Sequence, residues 1–254
     1  MIKPTLLLTT LIALSLTVVH RPLAAEETEL PDARALIERH VDAIGGREAI
    51  LSPVDGTMEG QFAMPAAGMS GELTVAIRNV NQRVIRIELP GIGAIQTGFS
   101  PELAWSIDPF MGPRLIEGVE FEALAESSLP EAILRDPSIV HSAKTVGQAE
   151  FLGQPCWRVE LQWRSGRTTH DCYAADSGLL IATESTEVSP MGEVQTVSLM
   201  DDYQELGGVM VATTTRVRVM GQEQLLTLTR FVTETPDPAL FDLPPAIQTL
   251  LEDQ

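Results

Sequence analysis

Basic residues are scarce in this chain. Lys and Arg number 17 against 35 Asp and Glu in 254 residues, a formal net charge of −18. A surface this acidic excludes electrostatic capture of nucleic acid or of anionic lipid headgroups and would attract a basic partner. Cysteine is nearly absent, with only Cys156 and Cys172. Histidine is also sparse: His40, His141 and His170 are scattered, and His20 lies near the start. There is no HExxH and no CxxC, so no metal site is expected. Asp201-Asp202 lacks the ligand spacing and the glycine of a calcium loop and reads as a solvated strand end. No GxSxG occurs either. Gly68-Met69-Ser70-Gly71 sits in a hairpin turn, and Gly91-Ile92-Gly93 follows Pro90 without leading to a helix. Glu117, Glu120, Glu122 and Glu126 fit a solvated helical face. These absences point to a protein that is not an enzyme and carries no cofactor. A hydrolase would have to assemble its site around His141 or His170.

A long apolar run occurs once, at the beginning. Met1-Ile2-Lys3 gives a positive start, Pro4–Val19 is apolar, and Leu23-Ala24-Ala25 offers small residues for cleavage. That order predicts a signal peptide over 1–25 and a periplasmic location. The alternative, an uncleaved anchor, needs about 20 apolar residues, and this run is shorter. The remainder, 26–254, carries no repeat or linker and reads as one domain.

Periodicity sets the fold class. Pro31 and Asp32 open an amphipathic helix in which Leu36, Ile37, Val41 and Ile44 share one face, and Gly45-Gly46 ends it. The period then falls to two. Met58, Phe62 and Met64 share one face of a strand, as do Leu73, Val75 and Ile77, then Ile85, Ile87 and Leu89, then Ile95 and Phe99, then Leu103, Trp105 and Ile107. Five short strands joined by tight turns read as an antiparallel meander. The segment 108–140 interrupts it. Asp108–Pro113 is not expected to form a regular strand. Leu124, Leu129, Ile133 and Leu134 then suggest one or two short helices, broken at Pro130 and Pro137. Strands resume near Thr145 and continue to Thr233, bringing the total to about 11–12.

The order of these elements resembles the bacterial LolA/LolB-like superfamily of outer-membrane lipoprotein-sorting proteins. The resemblance runs through Gly45-Gly46-Arg47-Glu48-Ala49, Met58-Glu59-Gly60, Pro90-Gly91-Ile92-Gly93, Ala104-Trp105-Ser106-Ile107-Asp108-Pro109, Cys156-Trp157-Arg158-Val159, Ser177-Gly178-Leu179-Leu180 and Leu240-Phe241-Asp242-Leu243-Pro244. Its strength lies in the order of the motifs. It implies a mainly β fold: a half-open antiparallel β-barrel wrapped around the N-terminal helix, with short lid helices over an apolar cavity. It implies a carrier or chaperone for lipids or lipoprotein acyl chains, with an envelope membrane protein as a further partner. Arg78, Arg83 and Arg86 all remain candidates for a lid-latching arginine.

Parity nominates the cavity wall. Met58, Phe62, Val75, Ile87, Phe99, Trp105, Trp157 and Trp163 fall on the apolar faces of their strands. Met and aromatic side chains make adaptable walls, and each ligand methylene buried there contributes about 0.8 kcal/mol. The competing reading is a filled core, with the protein acting as a non-catalytic envelope scaffold. In either case the chain is expected to be a monomer that binds no nucleic acid. Cys156 shares parity with Arg158 and Glu160, so it is expected on the wet face. If Arg164-Ser165-Gly166 is a three-residue loop, Cys172 lies opposite Arg158 and diagonal to Cys156. Such neighbours are about 7–8 Å apart, which is long for a bridge. A disulfide closed by a bulge and two separate thiols both stay open.

Overall fold

A computed structural model describes residues 29–52, 55–79, 81–189 and 192–253. The expected export segment 1–25 lies outside them. The described chain opens with helices α1 (Ala33–Ala43) and α2 (Gly46–Leu51). Asp32 caps α1: its carboxylate accepts the Ala35 N–H at 2.9 Å, which satisfies one orphan donor of the first turn. Six strands follow: β1 (Gly56–Met64), β2 (Met69–Arg78), β3 (Gln82–Leu89), β4 (Gly93–Phe99), β5 (Ala104–Asp108) and β6 (Gly112–Ile116). Helices α3 (Gly118–Ser127) and α4 (Pro130–Ile133) come next. Then come β7 (Val140–Phe151), β8 (Gln154–Trp163), β9 (Thr168–Ala174), β10 (Leu180–Ser189), β11 (Gly192–Leu206), β12 (Val209–Val219) and β13 (Gln222–Val232). A 3-10 turn at Pro238–Phe241 precedes α5 (Pro245–Glu252).

The thirteen strands form one antiparallel sheet in the order β6-β5-β4-β3-β2-β1-β13-β12-β11-β10-β9-β8-β7. The extra strand is β6, where Gly112 and Pro113 had argued against a strand. It lies at the sheet edge and pairs only with β5, so the missing N–H of Pro113 costs the ladder little. The other edge is β7, and the two edges do not pair, so the sheet is open. The connection that joins one free edge to the other is the segment carrying α3 and α4. At the middle of the sheet β1 pairs with β13, with a bulge at Glu59/Gly60. Only glycine fits at position 60, because a Cβ there would lie 2.1 Å from the Thr227 carbonyl oxygen.

The helices fill one half of the curled sheet. Leu36, Ile37 and Val41 of α1 are buried with Val140, Val159, Leu161, Trp163 and Tyr173 on the inner face of β7–β9. Burial of each such side chain contributes about 1.5–3 kcal/mol. On the other half, Phe62, Leu73, Ile87 and Leu89 form a second inner cluster with Leu226 and Leu228.

The outer face is not uniformly wet. Arg158 faces Cys172 and Cys156 faces Ala174, the register the three-residue loop implies. Cys156 and Cys172 are bonded, with Cα atoms 5.5 Å apart and no bulge between β8 and β9. Strand twist makes the two diagonals of a pair unequal, and the bond takes the shorter one. Both cysteines are buried, which corrects the solvent-facing expectation. They pack with Ala174, Ile181, Ala182 and Leu199, against Phe151 and Leu152 of the β7–β8 turn. Elsewhere on the outer face the C-terminal segment covers β3–β6. The Arg78 guanidinium lies 4.2 Å over the Phe241 ring, α5 packs against β6, and Ile247 is fully buried.

Candidate functional site

A hollow of about 580 Å³ lies between the sheet and the helices. One wall is a row across three strands, where Met58 pairs with Val75 and Val75 with Ile85. Ile77 extends that wall, Ile44 and Ile50 come from the N-terminal helices, and Val209 and Phe231 come from β12 and β13. The α3–α4 segment supplies the cover through Ser127, Leu129, Pro130 and Ile133. Leu129 is 38% exposed and Ile133 47%, and these large apolar side chains line the hollow. The volume falls in the range of about 300–1,000 Å³ usual for small-ligand sites.

The eight nominated wall residues divide into five groups. Met58 and Val75 line the hollow. Phe62 and Ile87 share its face but are packed into the adjoining cluster. Phe99 packs against Phe121 of α3, ring centroids 5.9 Å apart, and Trp157 and Trp163 belong to the core beneath α1. Trp105 is on the wrong face. Gly98 faces Trp105 while Phe99 faces Ala104, so Trp105 and Phe99 point to opposite sides of the sheet. The indole lies on Gly98, where a Cβ would come within 2.3 Å of it. Alternating apolar residues in β5 marked a covered face, and Trp105 is buried on the outer side, where the C-terminal segment packs on the neighbouring β6.

Polar contacts hold the α3–α4 segment at its middle and just after its C-terminal end. Near its end, Asp171 is fully buried and accepts from Arg135 Nε at 2.7 Å, Thr183 Oγ1 at 2.9 Å and Tyr173 Oη at 3.0 Å. Burial alone would lower the Arg135 pKa, but the Asp171 carboxylate outweighs it and raises it. Arg34 of α1 donates to the carbonyls of Arg135 and Val140, both at 2.6 Å, and Arg47 of α2 pairs with Asp136 at 2.7 Å. At the junction of α3 and α4, buried Glu126 accepts from Ser165 Oγ at 2.8 Å and Arg167 at 3.3 Å. Arg135 and Arg167 both lie over the Trp163 ring, at 5.4 and 4.4 Å.

Two cations line the hollow itself, Arg83 and Arg135, with His40. His40 Nδ1 accepts the Leu180 N–H at 3.2 Å. Burial and the nearby Arg135 charge, opposed by Asp171, bring its pKa down to about 4. Among the described residues, no acidic side chain lines this hollow. A second, more polar hollow of about 840 Å³ opens between β6, α3 and the β8–β9 turn, where Glu120 holds Arg114 in a two-point pair at 2.6 and 2.8 Å. Of the other histidines, His141 is exposed and His170 sits 3.5 Å from Glu160 on the outer face. Among the described residues no cluster of His, Cys, Asp or Glu could hold a metal ion.

Comparison with known proteins supports the architecture alone. No family model and no curated protein matches the sequence. Solved structures do match. A LolA superfamily protein from Nitrosomonas europaea superposes at a TM-score of 0.51 and 13% identity, over 84% of this chain and 98% of its own. An outer membrane lipoprotein-sorting protein domain from Vibrio parahaemolyticus gives 0.55 and 11%, over 87% and 100%. A DUF1329 family protein from Desulfovibrio piger gives 0.52 and 13%, over 83% and 97%. The fold is therefore LolA-like: mainly β, one open antiparallel sheet, few helices.

Proposed function

We propose that a chain with this LolA-like fold is a non-catalytic carrier of the periplasm that holds a lipid or a lipoprotein acyl chain in the hollow beneath α3–α4. One observation carries the reading: a largely apolar space that no described acidic residue lines, in a chain with net charge −18, covered by the segment that joins the two sheet edges. An acyl chain there would be held by methylene burial and needs no charged contact along its length. The neighbour named for outer membrane lipoprotein sorting and the apolar leader in the sequence support an envelope location. Access would come by displacement of α3–α4, whose break at Pro130 lets it move in two pieces. A filled interior serving only as a scaffold fits poorly with exposed Leu129 and Ile133 facing empty space.

The test is binding of a fluorescent fatty acid to the purified protein, with mass spectrometry of organic extracts from natively purified material. Val75→Asp places an unpaired carboxylate in the wall, where desolvation penalises it, and is expected to abolish binding. Glu160→Lys, on the outer face beside His170, is expected to leave binding within about twofold. Equal losses from the two folded variants, or no bound lipid and no fatty-acid binding at all, would refute the carrier.

A further inference from the structure

Arg83 is half-buried and lines the hollow, and no described residue offers it a hydrogen bond or an ion pair. Its position follows from register: it faces Ile77 on β2 and Phe99 on β4, on the inner side shared by Val75 and Ile85. The neighbouring arginines are accounted for. Arg78 and Arg86 alternate to the outer face, where Arg78 bonds Gln82 and stacks on Phe241, and Arg86 pairs with Glu88. Within the hollow, Arg135 is committed to Asp171, and His40, with its pKa near 4, is neutral at neutral pH. Among the described residues, Arg83 is thus the one uncommitted cation lining the hollow, and none of its lining residues is acidic. Burial pulls its guanidinium pKa down, which is the signature of a charge lacking a counter-ion. Guanidinium stays charged in proteins, so that cost persists until an anion arrives.

We infer that Arg83 is the headgroup anchor of the hollow, and that the preferred cargo is a single-chain amphiphile with an anionic carboxylate or phosphate head. The inference rests on the carrier reading and refines it. A guanidinium presents paired donors that match either anion. With the head at Arg83, the alkyl chain runs along Ile85, Val75 and Met58 toward Leu129 and Ile133. The acidic exterior still repels anionic membranes, so selection for the anion operates inside the hollow.

The experiment is titration calorimetry of the full chain with laurate, dodecyl phosphate and dodecanol, which share one chain length. The native protein is expected to bind laurate or dodecyl phosphate more tightly than dodecanol, and the tighter anion identifies the head. Arg83→Gln is expected to weaken the anions about tenfold or more while dodecanol binding stays unchanged, and Arg83→Lys, which keeps the charge but not the paired donors, to give an anion affinity between the native and Arg83→Gln values. Because Arg83→Gln removes an unpaired charge, its ligand-free melting temperature should equal or exceed the native value. Equal binding of anions and alcohol by the native protein would overturn the anchor while leaving the carrier reading intact. So would anion affinity that survives Arg83→Gln. Failure of all three probes to bind would overturn both.

Discussion

Asp171 is the residue whose loss the fold should tolerate least. Asp171→Ala leaves Arg135 buried without its partner, at a cost of about 3–5 kcal/mol. Pairing the change with Arg135→Leu should recover much of that, because the stranded charge is gone. Urea titration of both variants checks the pair. His40 gives a pH signature. Its folded pKa of about 4 lies below the unfolded 6.5, so between them the unfolded chain binds more protons. Stability is fully present above pH 6.5 and falls as pH drops toward 4, by up to about 3 kcal/mol. His40→Gln should flatten the urea midpoint across that window. Asp136 does not blur it, since Arg47 holds that carboxyl down at about 2. Both Asp171 and Arg83 carried a signal in the sequence. Asp171 shares parity with Tyr173, and Arg83 with Ile85 and Ile87, so each is a charge beside large apolar or aromatic side chains on its own face. What parity could not show is that Asp171 would find Arg135, which lies in another element 36 residues away.

Among elements, the α3–α4 segment is held by polar contacts as well as by apolar packing of Phe121 and Leu124 on Phe99 and of Ala132 in the main core. Its tip bears on Ser165 and Arg167 through Glu126, and its root on Arg34. Glu126→Ala and Arg34→Ala should each speed amide hydrogen exchange within 118–134, with protection of β8 and β9 unchanged. Uniform acceleration across the sheet would mean the contacts stabilise the whole fold and do not act as latches. The helical insertion was legible in the sequence because Leu124, Leu129, Ile133 and Leu134 make a short apolar pattern broken at Pro130 and Pro137. Strand β6 was not, since Pro113 is tolerated only at an edge and edge position is a property of the assembled sheet. The phase of β5 was hidden for a similar reason. Alternation shows that one face of Leu103, Trp105 and Ile107 is covered, and only the turn after Phe99 decides which face that is.

For the molecule as a whole, the interior is filled unevenly. Helix α1 occupies the space over β7–β9, and the space facing β1–β3 is left to the hollow. Residue types in one strand cannot foretell this, because it depends on where a helix settles between distant strands. The meeting of β1 with β13 has a consequence in time. Thr57 pairs with Val232, so the seam that unites the two halves of the sheet spans nearly the whole described chain. Loop closure across so long a span comes before any pairing can compensate it, which slows folding. A chain emerging from its N-terminus can build β1–β6 early, yet the second ladder of β1 has no partner until the last strand arrives. Through that interval the hydrogen-bonding edge most open to a foreign strand is the one that finally lies at the centre of the sheet.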